Sequence, residues 1–260
     1  DDLSRQLHQD SLPIMGILPD STTLSKHDGV SGYGEITAVS ESPVSAGVLW
    51  VGVDDGNVQV SRDDGITWND VTRNVPGLPF PYYVSWVEAS HAEAGRAYVS
   101  LDGHWDDDYG PYLYGTEDFG ATWRSLSDGL RSATVNVVRE HPDNPDLLLV
   151  GAENGAFASV DRGRTWGRLG SGLPAVPVDD IEIHPRNNDV VAGTHGRGIW
   201  ILDDITPLSQ GSPGGTDPVE LFAPRPATLF LYQSDVPSTG QGSYRARNPA
   251  YGANLDYAFE

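Results

Sequence analysis

Cysteine is absent from the 260-residue sequence, which excludes disulfides and thiolate metal sites and leaves the compartment open. Lysine occurs once, at Lys26, and the formal net charge is −21. Phosphate binding needs clustered Lys and Arg to release counterions, so this balance argues against nucleic acid as a partner. No apolar run reaches the roughly 20 residues of a membrane-spanning helix. Gly-rich phosphate loops, serine-nucleophile motifs and zinc-ligand spacings are missing as well, and neither cofactor nor metal is expected. The acid excess fits two settings equally: a salt-rich or extracellular medium that screens self-repulsion, or a genome that favours Arg over Lys.

What is present is turn chemistry and aromatic residues: 30 Gly, 19 Pro, 7 Trp and 11 Tyr, with apolar residues in short runs. That composition describes an all-β protein. Internal repetition then organises it. SRDDGITW (61–68), TEDFGATW (116–123) and SVDRGRTW (159–166) share one pattern of Ser or Thr, x, Asp, x, Gly, x, Thr, Trp.

A larger unit recurs around each copy. An alternating stretch (ITAVSES, VSWVEAS, VNVVREH, VDDIEIH) is followed by a turn and a more apolar stretch (VLWVGV, RAYVSL, LLLVGA, DVVAGT). A loop and a third strand then lead to the Asp-box, which turns the chain into a short fourth strand. The pattern predicts a β-propeller of four-stranded antiparallel blades at 34–73, 84–126, 134–171 and 178–208. In the fourth unit Asp203 and Asp204 have no Gly-x-Thr-Trp after them, so the array is expected to end there.

The flanks read differently. Residues 1–33 are expected to be the exit from an earlier blade. Segment 209–247 reads as a linker with a strand that covers the last blade's edge. Segment 248–260 reads as the first strand of a further β-domain, because a lone strand needs a partner.

The Asp-box is expected to be scaffold. Asp63, Asp118 and Asp161 can accept bonds from backbone N–H groups of their own turns, and Gly65, Gly120 and Gly163 can take positive φ. Trp68, Trp123 and Trp166 are expected to bury their rings between blades with the indole N–H paired.

These motifs resemble the sortilin-type Asp-box, or BNR-repeat, propeller proteins of bacteria, often named glycosyl-hydrolase-like. The likeness rests on DLSRQ (2–6), PIMG (13–16), LSKHDG (24–29), VGVDDGNVQVSRDDGITW, DDYGPYLYGTEDFGATW, GTHGRGIWILDDITPL and NPAYGANLDY. The resemblance implies an exported protein, extracellular or periplasmic, whose targeting segment lies outside this sequence. It also implies a propeller of more than four blades, so the rest of a larger chain is an expected partner. A β-sandwich is implied after NPAYGA.

Propeller ligands meet the face opposite the Asp-boxes, here the loops Asp54–Asn57, Asp102–Pro111, Glu153–Gly155 and Thr194–Gly198. Candidate ligand-binding residues are therefore Asp54, Asp55, His104, Trp105, Asp106, Asp107, Asp108, Tyr109, Glu153, His195 and Arg197. Aromatic faces can stack on a sugar or peptide while carboxylates bind hydroxyls or basic groups. Calcium fits the acidic loop poorly, because its spacing matches no calcium-loop pattern. His195 can act as acid or base and Arg197 can clamp a carboxylate, but the plainer reading is a tight hairpin with Arg197 paired to acids of the preceding blade. His141 and His184 open turns on the other rim.

Two functions follow as expectations. One is a binding or scaffold module for a peptide or glycan. The other is a glycoside hydrolase whose cleft is completed by missing blades or a second propeller, with acids such as Asp55, Asp107 or Glu153. No catalytic residue is singled out. A sialidase is disfavoured because the arginines are scattered and several, such as Arg62, Arg162 and Arg164, sit in the Asp-boxes.

Overall fold

In the computed structural model the described residues are 34–79, 81–130, 133–210, 219–227 and 251–259, with positions 3, 18, 20 and 229. Four antiparallel meanders follow one another. The first contains β1 (Ile36–Glu41), β2 (Leu49–Val53), β3 (Val58–Ser61) and β4 (Asn69–Asp70). The second contains β5 (Tyr83–Ala89), β6 (Ala97–Gly103), β7 (Asp108–Thr116) and β8 (Arg124–Ser125). The third contains β9 (Val135–His141), β10 (Asn144–Ala152), β11 (Gly155–Ser159) and β12 (Gly167–Arg168). The fourth has three strands, β13 (Val178–Ile183), β14 (Val190–Thr194) and β15 (Gly198–Leu202). This is the all-β propeller architecture that the repeats predict.

The first strands β1, β5, β9 and β13 touch one another in chain order and line the axis. The second strands β2, β6 and β10 are covered on both faces, which is why VLWVGV and LLLVGA read as continuous apolar runs rather than alternating ones. The cores lie between sheets. Trp50, Val58, Val84 and Val99 fill the first seam, Tyr98, Leu113, Val135 and Val150 the second, and Leu149, Ala156, Val178 and Ile181 the third.

One device recurs at every seam. Each first strand carries a bulge near its start, at Thr37, Ser85, Asn136 and Asp179. Thr37 Oγ1 donates to Val84 O at 2.7 Å, Ser85 Oγ to Val135 O at 2.7 Å and Asn136 Nδ2 to Val178 O at 3.2 Å. The acceptor is always the residue just before the next sheet's bulge. Beside it the second strand has no room: a Cβ at Gly52 would overlap Val84 Cγ1, and one at Gly151 would lie 2.7 Å from Val178 O.

The Asp-boxes act as turn staples. Asp63 accepts the Thr67 amide at 2.8 Å and its hydroxyl at 2.6 Å, and Asp118 and Asp161 repeat this with Thr122 and Thr165. The preceding Ser61, Thr116 and Ser159 hydroxyls donate to the same carboxylates. Positive φ is needed at the glycine and also at the residue before it, Asp64, Phe119 or Arg162, as primed hairpin turns demand.

The three tryptophans do not share one fate. Trp166 donates Nε1 to Leu126 O of the preceding sheet at 2.8 Å. Trp123 is buried against Trp50 of the preceding sheet at 6.0 Å and 78°, and its Nε1 has no acceptor among the described residues, contrary to expectation. The edge-to-face contact stands where the acceptor was expected. Trp68 is only half-buried and donates to Gly65 O of its own turn at 3.0 Å, since no described sheet precedes it.

Of the flanks, two short strands are described. Val219–Leu221 (β16) pairs with Tyr257–Phe259 (β17) and not along β15, so it does not cover the last sheet's edge, and Tyr257–Phe259 finds a partner within the chain. The expected exit strand at 1–33 lies outside the described residues except at single positions. Of these, Leu3 O receives Asn57 Nδ2 and Gln59 Nε2 at 2.6 Å each.

Two outcomes follow. Gly151→Ala should destabilise the fold by about 1–3 kcal/mol through overpacking. Gly193→Ala, where the nearest atom to a Cβ lies 3.8 Å away, should stay within about 0.5 kcal/mol in denaturant titration. The second outcome concerns acid. The Thr67 hydroxyl and amide hold Asp63 below its ordinary range, and the Thr122 amide and hydroxyl do the same for Asp118. In Asp161 burial opposes the shift and the Thr165 bonds outweigh it. A depressed folded-state pKa stabilises above the unfolded value, and that stabilisation is lost as pH falls through the folded one. Melting temperature should therefore decline below about pH 4, and replacing Thr67, Thr122 and Thr165 together with Val should make that decline shallower and lower the melting temperature at neutral pH.

Candidate functional site

The repeat places one side chain per sheet in the same slot at the end of the second strand: Asp54, Asp102, Glu153 and His195. The backbone fixes the slot, because Asp54 N donates to Glu35 O, Glu153 N to Thr134 O and His195 N to Pro177 O, each at 3.0 Å, while Asp102 pairs with Tyr83. These four residues define a rim at the end of the axis away from the first-strand turns. Asp54 also accepts Gly34 N at 2.7 Å and Glu35 N at 3.0 Å. Burial and then the charges of Asp54, Asp102 and Glu35 push the Tyr83 hydroxyl above its ordinary pKa, which records how closely the first two sheets gather their acids. Farther round, Glu153 Oε1 accepts Asn136 Nδ2 at 3.1 Å, and His195 Nδ1 lies 3.6 Å from Asp179 Oδ2.

The loop from Asp102 is built around a single 3-10 turn, His104–Asp106, closed by Asp107 N to His104 O at 3.0 Å with Asp107 at φ 59°. Asp102 accepts His104 N at 2.8 Å and also pairs with the ring Nδ1. The ring in turn packs on Trp105 with centroids 4.8 Å apart. Trp105 and Tyr109 are 58 % and 57 % exposed, an open aromatic pair beside carboxylates.

The run Asp106, Asp107, Asp108 is not one acidic patch. Asp107 is exposed and Asp106 half-buried, whereas Asp108 turns inward and accepts Tyr82 Oη at 2.7 Å and Tyr112 Oη at 2.6 Å. Burial raises the Asp108 pKa, but the bonds from Tyr112, Tyr82 and Gly110 N outweigh it and leave the carboxyl below its usual range. Asp55, also a candidate, is buried, and its carboxylate accepts Asn57 N at 3.2 Å within its own turn, which withdraws it from the rim. Glu153, His195 and Arg197 are exposed. Arg197 makes no ion pair among the described residues, so the pairing expected with the preceding blade is absent; its carbonyl accepts Trp200 Nε1 at 3.1 Å.

The other mouth of the axis escaped sequence reasoning. Ser40, Glu88, Arg139 and Glu182 occupy one slot of the four first strands and border a cavity of about 370 Å³. Arg139 reaches Glu88 at 3.2 Å, Asp180 at 3.1 Å and Glu182 at 3.4 Å, donates Nε to Ile181 O at 2.7 Å and lies 4.2 Å over Trp86. Burial pushes the Glu88 carboxyl up despite Arg139. Stacking the four first strands in register would have shown this slot; the missed Tyr82 and Tyr112 have no such signal, because they meet only around Asp108. Among the described residues no group of three or more His, Asp or Glu is arranged to hold a metal ion, and no helix is long and apolar enough to cross a membrane.

With sheet order, axis and rim in place, the chain is a β-propeller protein. No family model matches it, and no curated protein does. Solved structures do. A GH74 enzyme from Niastella koreensis aligns at TM-score 0.52 and 19% identity over 66% of this chain and 30% of its own. The GH74 xyloglucanase from Xanthomonas campestris aligns at 0.49 and 13% over 69% and 30%. YCF48 from Cyanidioschyzon merolae aligns at 0.45 and 17% over 64% and 52%. The matched region thus spans about a third of the length of the GH74 proteins, and the likeness to the Niastella enzyme is one of fold.

Because Asp108 holds both phenols, Asp108→Asn should lower the alkaline titration midpoint of Tyr112, which burial and the Asp108 carboxylate push up to about 12. Ultraviolet titration of phenolate absorbance checks this, with Tyr112→Phe identifying the band.

Proposed function

We propose that the rim is a recognition surface for a peptide or glycan, with the ligand lying on Trp105 and Tyr109 and its hydroxyl or cationic groups meeting Asp54, Asp107 and Glu153. The observation that carries this reading is the exposed aromatic pair on a loop whose own bonds preset it. Asp102 orients His104, His104 supports Trp105, and Asp108 ties the loop to Tyr82 and Tyr112. Such a platform loses little side-chain entropy on binding.

A glycoside hydrolase needs a carboxyl kept protonated beside the bond it cleaves. Asp108 is held in its ionised form as an acceptor, and Glu88, whose carboxyl burial pushes up, lies at the other mouth in an ion pair with Arg139. Both features favour binding without turnover.

Glycan and peptide arrays followed by calorimetry test the proposal. Trp105→Ala should weaken the best ligand by roughly 10-fold or more, as central aromatic contacts do, and Glu153→Gln should weaken it less. Hydrolysis of an array ligand that disappears in Asp107→Asn would replace the binding reading with the hydrolase one. An affinity unchanged in Trp105→Ala would move the site elsewhere.

A further inference from the structure

The Asp-box ends of the sheets carry charged groups that neither the turns nor the rim employs. Successive boxes lie side by side, and the residue after the Ser or Thr of one box meets the residue before the glycine of the next. Between the first and second boxes these are Arg62 and Phe119, and the guanidinium lies 4.1 Å over the ring. Between the second and third they are Glu117 and Arg162, whose ion pair spans 3.9 Å, too far for a hydrogen bond. A cavity of about 560 Å³ opens there, lined by Arg124, Arg162 and Arg164 together with Glu117, Asp146, Asp161 and the half-buried Val160.

The carboxylates at this cavity are already engaged. Asp161 accepts Ser159 Oγ, the Thr165 amide and hydroxyl, and Arg164 N within its own turn. Glu117 accepts Arg96 Nε at 2.7 Å, and Asp146 accepts Arg162 Nη2 at 2.6 Å. The guanidiniums keep donors free. Arg162 Nη1 makes no hydrogen bond, Arg124 uses only Nη2, on Arg162 O at 2.8 Å, and the exposed Arg164 side chain has no partner among the described residues. With Arg96, Arg124, Arg162 and Arg164 set against Glu117, Asp146 and Asp161, one positive charge remains, in a chain whose net charge is −21.

We propose that this cavity binds one carboxylate on a short aliphatic stem, with Arg124 and Arg164 forking its oxygens, Arg162 Nη1 beside them and the stem against Val160. The planar guanidinium matches the two oxygens of a carboxylate. A single leftover charge suits a monoanion, whereas the second charge of sulfate or phosphate would face Glu117 and Asp146 uncompensated. Two of the three guanidiniums are held before a ligand arrives, Arg162 by Asp146 and Arg124 by the Arg162 carbonyl, so little side-chain freedom is lost on binding. The group can arrive on a free short-chain acid or on the glutamyl side chain of a peptide. The site lies at the Asp-box end of the sheets, apart from the rim, and does not rest on ligand binding there.

Nuclear magnetic resonance titration of the arginine Nε–H signals tests the proposal, with butyrate and a capped glutamyl peptide as the two sources of the carboxylate and inorganic sulfate as the dianion. The Arg124 and Arg164 signals should shift saturably with at least one of the two carboxylates, and the one that saturates at lower concentration identifies the source. Arg62, at the preceding junction, should not follow. Arg124→Gln and Arg164→Gln should each weaken binding roughly 3- to 10-fold and leave the circular dichroism spectrum unchanged, since both side chains are exposed. Trp105→Ala should leave the affinity unchanged, which separates this site from the rim. Parallel, unsaturated drift of Arg62, Arg124 and Arg164 would mean general screening and overturn the proposal, as would a glutaminyl peptide that binds as the glutamyl one does. Tighter binding of sulfate than of either carboxylate would overturn the choice of ligand.

Discussion

A sheet in this molecule is held by the sheet beside it. No backbone ladder crosses a seam; what recurs across each is an apolar face and a side-chain hydrogen bond from the bulge of one first strand to the carbonyl just before the next bulge. Burial of valine and leucine supplies the attraction, which is non-directional. The hydrogen bond and the glycine beneath the incoming valine supply position. Each seam repeats the same answer with different residues, Thr, Ser or Asn as donor and Gly or Ser as floor, because the requirement is a short donor and a small second-strand residue rather than a particular identity.

From that constraint the functional end of the molecule follows. Fixing the first strand of every sheet against its neighbour also fixes where the second strand ends, so Asp54, Asp102, Glu153 and His195 arrive at one rim. Only the second sheet elaborates on it, with the loop that lifts Trp105 and Tyr109 clear of the surface. The Asp-boxes, at the far side of each sheet, give the third-to-fourth turns a self-sufficient closure and leave the rim loops free to vary.

The Asp-box hairpins were legible in the sequence because each is a local object: carboxylate, positive-φ pair and threonine all lie within five residues. Strand order and sheet number were legible for the same reason, through repetition. The fate of the tryptophans was not, since Trp68, Trp123 and Trp166 have the same neighbours in sequence but different preceding sheets. Asp108 looked like its neighbours Asp106 and Asp107 until Tyr82, 26 positions away, came to lie against it. Asp55 looked available and is buried, with its carboxylate turned back to accept Asn57 N. The edge strand at 219–221 could not be assigned a partner from pattern, as three residues carry no periodicity.

Arg139 has a mechanical meaning beyond its charge. Repeated stacks behave approximately as one-dimensional chains in which each unit senses only its two neighbours, so a terminal unit can fray alone. Arg139 meets both neighbours at once, for its guanidinium stands in the third sheet and grips Glu88 in the second and both Asp180 and Glu182 in the fourth. Peeling the fourth sheet away would strip Asp180 and Glu182 from that guanidinium and leave it paired with Glu88 alone. Fraying at the last sheet is thereby registered in a side chain that also touches the second.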